Sequence, residues 1–202
     1  GRGATLLPGL IDVHGHVRRY GQGLGNVDLS GSTSEAFAAA RIAAFLRSGA
    51  AGSDGWVAGW GWNQVLWPGQ LFPTKGDLDE AFPDTPIWLR RVDGHAAWAN
   101  TAALELAGLD MIREASDPDG GTIIRDASGE PTGLFSDNAR DLVSAVVPPP
   151  SEDHLDRALE LALKEAAEMG LTGVHDAGVD MNTIERYQRF IDEDRFTVRM
   201  YA

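Results

Sequence analysis

Two histidines, His14 and His16, stand two residues apart in the stretch PGLIDVHGHV at residues 8–17. Imidazole nitrogens are common ligands of divalent transition metals, and two on one face of an element make half of a tetrahedral site. Positions two apart share a face on a β-strand, whereas on an α-helix they diverge by about 200°. The β-branched Ile11, Val13 and Val17 favour a strand, so the two rings are expected to converge. Alternation then sets Leu10, Asp12, His14 and His16 on one side and Ile11, Val13 and Val17 on the other. From these residues alone a second outcome stays open: two histidines at a strand end that are solvated or hydrogen-bonded and bind no metal.

The elements that must hold these residues alternate along the chain. LIDVHGHV reads as a strand followed by a glycine-rich loop. Residues 32–49, STSEAFAAARIAAFLRSG, read as a helix capped by Thr33 or Ser34, with a stripe of Phe37, Ala40, Ile42, Ala44 and Phe45 and with Gly49 as its stop. A strand is expected in GWVAGWGWNQ at 55–64, a proline-punctuated stretch without a long helix at 67–86, and a strand in IWLRRV at 87–92. Residues 93–108 turn through Asp93-Gly94 into a helix capped by Asn100 or Thr101 and ended by Gly108. Residues 120–135 form two extended pieces around Asp126-Ala-Ser-Gly, a hairpin or surface flap that interrupts the alternation. The clearest helix follows, capped by Ser151, with Leu155, Leu159, Ala162, Leu163 and Ala166 on one face and Gly170 as its stop. A strand at 171–179, a helix at 181–194 and a strand at 196–202 complete the chain. Strands alternating with helices indicate an α/β fold with a parallel sheet, as a barrel or an open doubly wound sheet.

The bulk properties narrow the function. At 202 residues the chain can bury a sizeable core as one large domain or two small ones. A formal charge of −13 disfavours nucleic acid and anionic membrane surfaces as partners, and no apolar run reaches the length of a membrane span. A small-molecule partner and a soluble chain are expected. The absence of cysteine excludes disulfides, thiolate metal sites and cysteine nucleophiles, and fits a reducing, cytoplasmic compartment. The opening GRGATLLPG has neither the charged start nor the apolar core of a signal peptide or anchor.

LLPGLIDVHGHV resembles the first-strand motif of the amidohydrolase superfamily, Pro-Gly-hydrophobic-hydrophobic-Asp-x-His-x-His. DGWVAGWGWNQ, LFPTKGDLDEAFPDTPIWLRRVDGHAAWAN, DGGTIIRDASGEPTGLF and GLTGVHDAG are similar, in order and spacing, to the YtcJ-like amidohydrolase 3 subgroup over essentially the whole chain. The resemblance implies a metal-dependent hydrolase barrel of the (β/α)8 type, of which residues 1–202 would be the N-terminal part. Residues 55–140 would contain an insertion or flap, and the small β-sandwich and the C-terminal half of the barrel would lie outside this chain. It implies His14 and His16 as metal ligands, Asp12 as their support from behind, and one or two divalent ions, zinc foremost. The family's other ligands are a lysine that is often carboxylated and two histidines. Its general base is an aspartate at the end of the last strand. None has a matching motif here, so no catalytic residue is assigned within these 202 residues.

The substrate-binding candidates are His95, Trp62, Asn63, Arg91, Asp137 and His175. His95 belongs to the Asp-Gly-His…Asn signature that the resemblance carries, and a turn with a helix cap at Asn100 accounts for the same residues. Trp62 and Asn63, with Trp60, would make an aromatic wall, or would pack in a core. Arg91, with Arg90, could fork onto a carboxylate or pair at the surface. Asp137 stands where similar proteins more often carry glutamate. His175 could line a pocket from its strand, while His154 is expected to be solvated. The expected activity is hydrolysis of an amide, formamide or related C–N bond, completed by the remainder of the barrel, with a homodimer as one assembly. The alternatives are a non-catalytic small-molecule binding module and an open α/β domain with incidental histidines.

Overall fold

The computed structural model describes residues 3, 5, 7–48 and 55–202, so Gly49, the expected helix stop, lies outside the described residues. In chain order the elements are β1 (Leu10–Gly15), α1 (Val17–Leu24), β2 (Val27–Asp28), α2 (Glu35–Arg47), β3 (Val57–Trp62), α3 (Gly76–Asp79), β4 (Ile87–Arg91), β5 (Ala96–Ala99), α4 (Thr101–Ala107), α5 (Leu109–Glu114), β6 (Gly121–Arg125), β7 (Pro131–Asp137), α6 (Asp141–Ser144), α7 (Glu152–Glu168), β8 (Leu171–Asp176), α8 (Met181–Asp192) and β9 (Arg199–Tyr201). They form two compact units, Gly1–Gly25 with Ser151–Ala202, and Asn26–Pro150. Among the described residues no helix is long and apolar enough to cross a membrane.

The first unit is built on a parallel sheet of order β1-β8-β9. Ser151 caps α7 as expected, its hydroxyl accepting the His154 N–H at 3.2 Å. Leu159 and Leu163 from α7, Val174 from β8, and Tyr187 and Phe190 from α8 make one buried cluster. The segment expected to be a glycine-rich loop is α1. Its glycines do not break it because α1 lies against α7, and Gly21 sits where a Cβ would come 2.1 Å from the Ala158 carbonyl oxygen. Tertiary packing outweighs the low helix propensity of glycine here. His154 corrects a second expectation. It is half-buried near Gly25, and that burial, with the Arg157 charge, holds its imidazole below the ordinary histidine value.

The second unit carries a sheet of order β2-β3-β4-β5-β7-β6. Its first three strands run parallel, and β5, β7 and β6 join antiparallel, so the sheet is mixed rather than parallel throughout. Strand β5 was hidden in a segment read as a turn leading to a helix. Four small or aromatic residues gain strand structure by pairing β4 on one side and β7 on the other. The hairpin of β6 and β7 is present, but it is not a surface flap: Ile123, Leu134 and Phe135 are buried, and β7 is an interior strand. On α2, capped by Ser34, the buried residues are Ala38 and Ile42, while Phe37 of the expected stripe is 46% exposed. Alanines spread around that helix leave its packed face undetermined by pattern alone.

Two groups lock this sheet. Trp62, Trp67 and Trp98 meet with ring centres 6.1 to 6.3 Å apart, and each indole N–H donates to a main-chain carbonyl, of Leu89, Ser32 and Thr74 respectively. Asn100 is fully buried; it caps α4 through Ala103 N–H, accepts the Ile87 N–H, and donates to the Phe82 and Thr85 carbonyls. That saturates its amide, and the capping reading of Asn100 holds.

Gly21→Ala should drive a methyl into the Ala158 carbonyl and lower stability by about 1–3 kcal/mol, the range for overpacked sites. Urea unfolding would register this as a lower midpoint at unchanged slope, and an unchanged midpoint would refute the close approach of α1 and α7.

Candidate functional site

The face on which a β1 residue lies is set by its register with β8. Ile11 pairs with Gly173 and Asp12 with Val174, but Gly15 pairs with Asp176, so three steps on β1 oppose two on β8. This one-residue bulge flips the alternation between Asp12 and Gly15. A Cβ on Gly15 would meet Val174 Cγ1 at 2.7 Å and Asp12 Oδ2 at 3.6 Å, which places Gly15 and the exposed Asp12 on the side of the buried Val174 and Asp176. His14 and His16 therefore face the other way, on the side of His175, with Ile11 beside Gly173. The expected sharing of one side by Asp12, His14 and His16 is corrected, and Val13, expected to pack outward, is 71% exposed. Asp12 acts on the pair through the backbone: its Oδ1 accepts the His14 main-chain N–H at 3.0 Å.

The two imidazoles converge. Their centres lie 5.2 Å apart with planes at 83°. With Zn–N near 2.1 Å and the ring centre roughly 1.2 Å beyond, two imidazoles on one tetrahedral ion have centres about 5 Å apart. His16 also has its Nδ1 3.0 Å from the Ala177 carbonyl. A carbonyl can only accept, so Nδ1 carries the proton and Nε2 is left as a lone-pair donor, the arrangement metal-bound histidines commonly show. The separation of the rings is the one two imidazoles on a single divalent ion would have. Among the described residues no group of three or more His, Cys, Asp or Glu side chains is arranged to hold one. His175, exposed on the same face of this sheet, stacks on Tyr201 with ring centres 5.2 Å apart.

In the second unit, the ends of β3, β4 and β7 and the start of β5 gather several candidates at one end of the sheet. A continuous polar chain runs among them. Gln64 Oε1 accepts Arg91 Nε at 2.9 Å, Arg91 bonds Asp93, and Asp93 Oδ1 accepts the His95 main-chain N–H at 3.0 Å. His95 Nδ1 lies 2.9 Å from Asp137 Oδ1, and the Asp137 N–H returns to the His95 carbonyl at 2.8 Å. Arg140 closes the corner by donating to the carbonyls of Asp137 and Gly94. Burial pushes the Asp93 carboxyl up, but the His95 N–H and the Arg91 guanidinium outweigh it and hold the group below its ordinary value.

His95 is the open end of this chain, with its side chain 74% exposed. The Asp137 carboxylate accepts a hydrogen bond from Nδ1–H, so Nε2 is presented to solvent. Asp137 itself sits at φ 47°, ψ −122°, a backbone conformation that residues with a Cβ adopt only under strain. Arg91 is largely covered and lies 6.0 Å from the Trp62 ring centre. Asn63 is half-buried and uses its oxygen on the Val65 N–H. Trp62 departs from expectation: it is fully buried in the tryptophan cluster and has no surface to offer a ligand, so core packing accounts for it.

Three residues that the sequence did not single out are integral to these sites. Asp176 and Tyr187 stand behind His16, and Arg140 braces Asp137. Asp176 follows His175 directly and was visible only as a residue of the opposite face. Burial and the Asp176 carboxylate hold the Tyr187 hydroxyl far above the ordinary phenol range, so it remains a donor.

The mixed α/β fold of this chain is shared with known proteins. The description "Amidohydrolase family" covers residues 2–201, and the chain belongs to that family. It is 40% identical over 192 residues to the amidohydrolase-named YtcJ of Bacillus subtilis (strain 168), covering 91% of this chain and 36% of that protein. It is 35% identical over 195 residues to the N-substituted formamide deformylase of Arthrobacter pascens, covering 93% and 35%. A solved metal-dependent hydrolase from Pyrococcus horikoshii OT3 shares the fold, with TM-score 0.69 at 21% identity over 96% of this chain and 36% of that one. The chain spans about a third of the length of the curated relatives it matches.

The strain at Asp137 makes a signed prediction. Asp137→Gly should be more stable than Asp137→Ala by about 1–2 kcal/mol, because only glycine relaxes at this φ. At ordinary positions the order is the reverse. Thermal unfolding of the two variants decides it, and an alanine variant as stable as the glycine one would contradict the strained geometry.

Proposed function

We propose that the protein is a metal-dependent hydrolase of amide, formamide or related carbon–nitrogen bonds, with His14 and His16 among the ligands of a divalent ion, zinc foremost. The observation that carries this reading is the converging pair, with His16 Nδ1 committed to Ala177 and Nε2 free. Family membership and the formamide deformylase among its relatives support the bond class. When bound, such an ion supplies Lewis acidity toward a carbonyl and a hydrolytic water acidified toward neutrality.

The residues of this chain supply position and contact. Asp12 holds the main chain of His14 so that the ring can turn to the open face. His95, aligned by Asp137, offers Nε2 as an acceptor for a substrate N–H or O–H. Arg91, Asn63 and His175 are further substrate contacts in this reading, with His175 lining the open face of its sheet. The parallel order β1-β8-β9, with α8 between β8 and β9, supports reading the first unit as part of a (β/α)8 barrel, with the insertion of residues 55–140 lying inside the unit Asn26–Pro150. Further ligands and the general base would come from the rest of the barrel, since the relatives are longer. The expected partner is a small-molecule substrate, the expected location cytoplasmic, and a homodimer is compatible with the reading.

Metal content decides the ligand assignment. The full-length protein should carry a divalent ion that the His14→Asn/His16→Asn double variant largely loses, as measured by elemental analysis after gel filtration; equal content in both would end the assignment. Chelator-sensitive hydrolysis is expected in a screen of N-acyl and N-formyl amines. His95→Ala is expected to raise KM at least tenfold for any substrate found.

A further inference from the structure

His16 occupies the N-cap of α1, yet its side chain makes no capping bond to that helix. The cap comes from elsewhere: Asp176 Oδ1 accepts the Val17 N–H at 3.0 Å. Asp176 is 4% exposed, and its second oxygen accepts the hydroxyl of Tyr187, also 4% exposed and held edge-on to Phe196 with ring centres 5.4 Å apart. The neighbouring Ala177 completes the grip, its N–H donating to the Gly15 carbonyl at 3.1 Å and its carbonyl accepting His16 Nδ1–H at 3.0 Å. The main chain on both sides of His16 and one edge of its ring are thus held by two successive residues of one strand end.

A helix start alone would be satisfied by Ser, Thr, Asp or Asn at position 16 itself. Here the capping duty lies 159 residues away in sequence, on a buried carboxylate, and the local residue is an imidazole free to turn its other nitrogen to the open face. We propose that Asp176 and Tyr187 are positioning residues of the metal centre: they relieve His16 of capping and fix the segment that aims its Nε2. This rests on the reading of His16 as a ligand. Tyr187 acts through Asp176, and Asp176 through Val17, so neither touches the ion or substrate.

The test compares Tyr187→Phe and Asp176→Asn with Ser151→Ala, which removes the cap of α7 in the same unit and touches neither His16 nor α1, using the full-length protein and Zn²⁺ against a competing chelator. Removing such outer partners typically weakens metal binding 10- to 100-fold. Tyr187→Phe is therefore expected to weaken Zn²⁺ binding about tenfold, while Ser151→Ala leaves it within about twofold because it removes no partner of a ligand. Wild-type affinity in Tyr187→Phe, or an equal loss in Ser151→Ala, would overturn the proposal. Should Asp176→Asn not fold, Tyr187→Phe carries the comparison. A second readout needs no metal: the His16 Nδ1–H resonance of the metal-free protein should exchange slowly in the wild type and faster in Tyr187→Phe but not in Ser151→Ala. If the wild type shows no binding dependent on His14 and His16, the ligand reading fails by itself. The exchange measurement then decides the positioning role, and equal exchange in wild type and Tyr187→Phe refutes it.

Discussion

The parallel pairing of β1 with β8 governs what the first unit can present. Had it run without interruption, Asp12, His14 and Gly15 would follow simple alternation, and His14 and His16 would turn toward the helices. One extra residue between Asp12 and Gly15 reverses the sides, and the face of Val174 then receives Gly15, which has no Cβ. Gly15 is required there because Val174 Cγ1 fills the space a Cβ would take. Bulges of this kind are common beside functional sites because they re-aim a side chain without ending the strand.

The second unit obeys a different constraint. Its sheet is mixed, so strands of both directions bring turns to one end, and a chain of hydrogen-bonded polar side chains, from Gln64 through Arg91, Asp93 and His95 to Asp137, crosses that end. Asp93 there has the Arg91 guanidinium and the His95 N–H as partners, which keeps its carboxyl ionised although it is partly covered. The strained backbone of Asp137 is tolerated because Arg140 and the His95 carbonyl hold it from both sides.

Periodicity and capping chemistry made much of this architecture legible. Ser34, Asn100 and Ser151 cap the helices expected of them, since a side-chain oxygen at that position satisfies a local orphan N–H whatever the tertiary context. The histidine pair was legible for the same reason: two-residue spacing on a β-branched strand is a local signal. What escaped was non-local. Helix α1 exists because Gly21 fits against Ala158, and β5 because β4 and β7 flank it. The side of Asp12 depends on a register with residues more than 160 positions away. Trp62 illustrates the limit at the site itself, for an aromatic residue at a strand end reads alike whether it lines a pocket or completes a core.

A rule common to both units links these local and distant signals. An imidazole at a strand end is freer to serve a ligand when the main-chain donors around it are already paired, because its own nitrogens are then not drawn to them as acceptors. In each histidine segment an aspartate does this. Asp12 serves the N–H of His14 and Asp93 that of His95, both two residues ahead in the Asx manner, while Asp176 serves Val17 from a different strand. The rings of His16 and His95 are then each tied at Nδ1 to an acceptor and open at Nε2. The Asp-x-His spacing at 12–14 and 93–95 is therefore a legible sign of a histidine relieved of backbone duty. At His16 the equivalent carboxylate is remote, and only the folded chain reveals it.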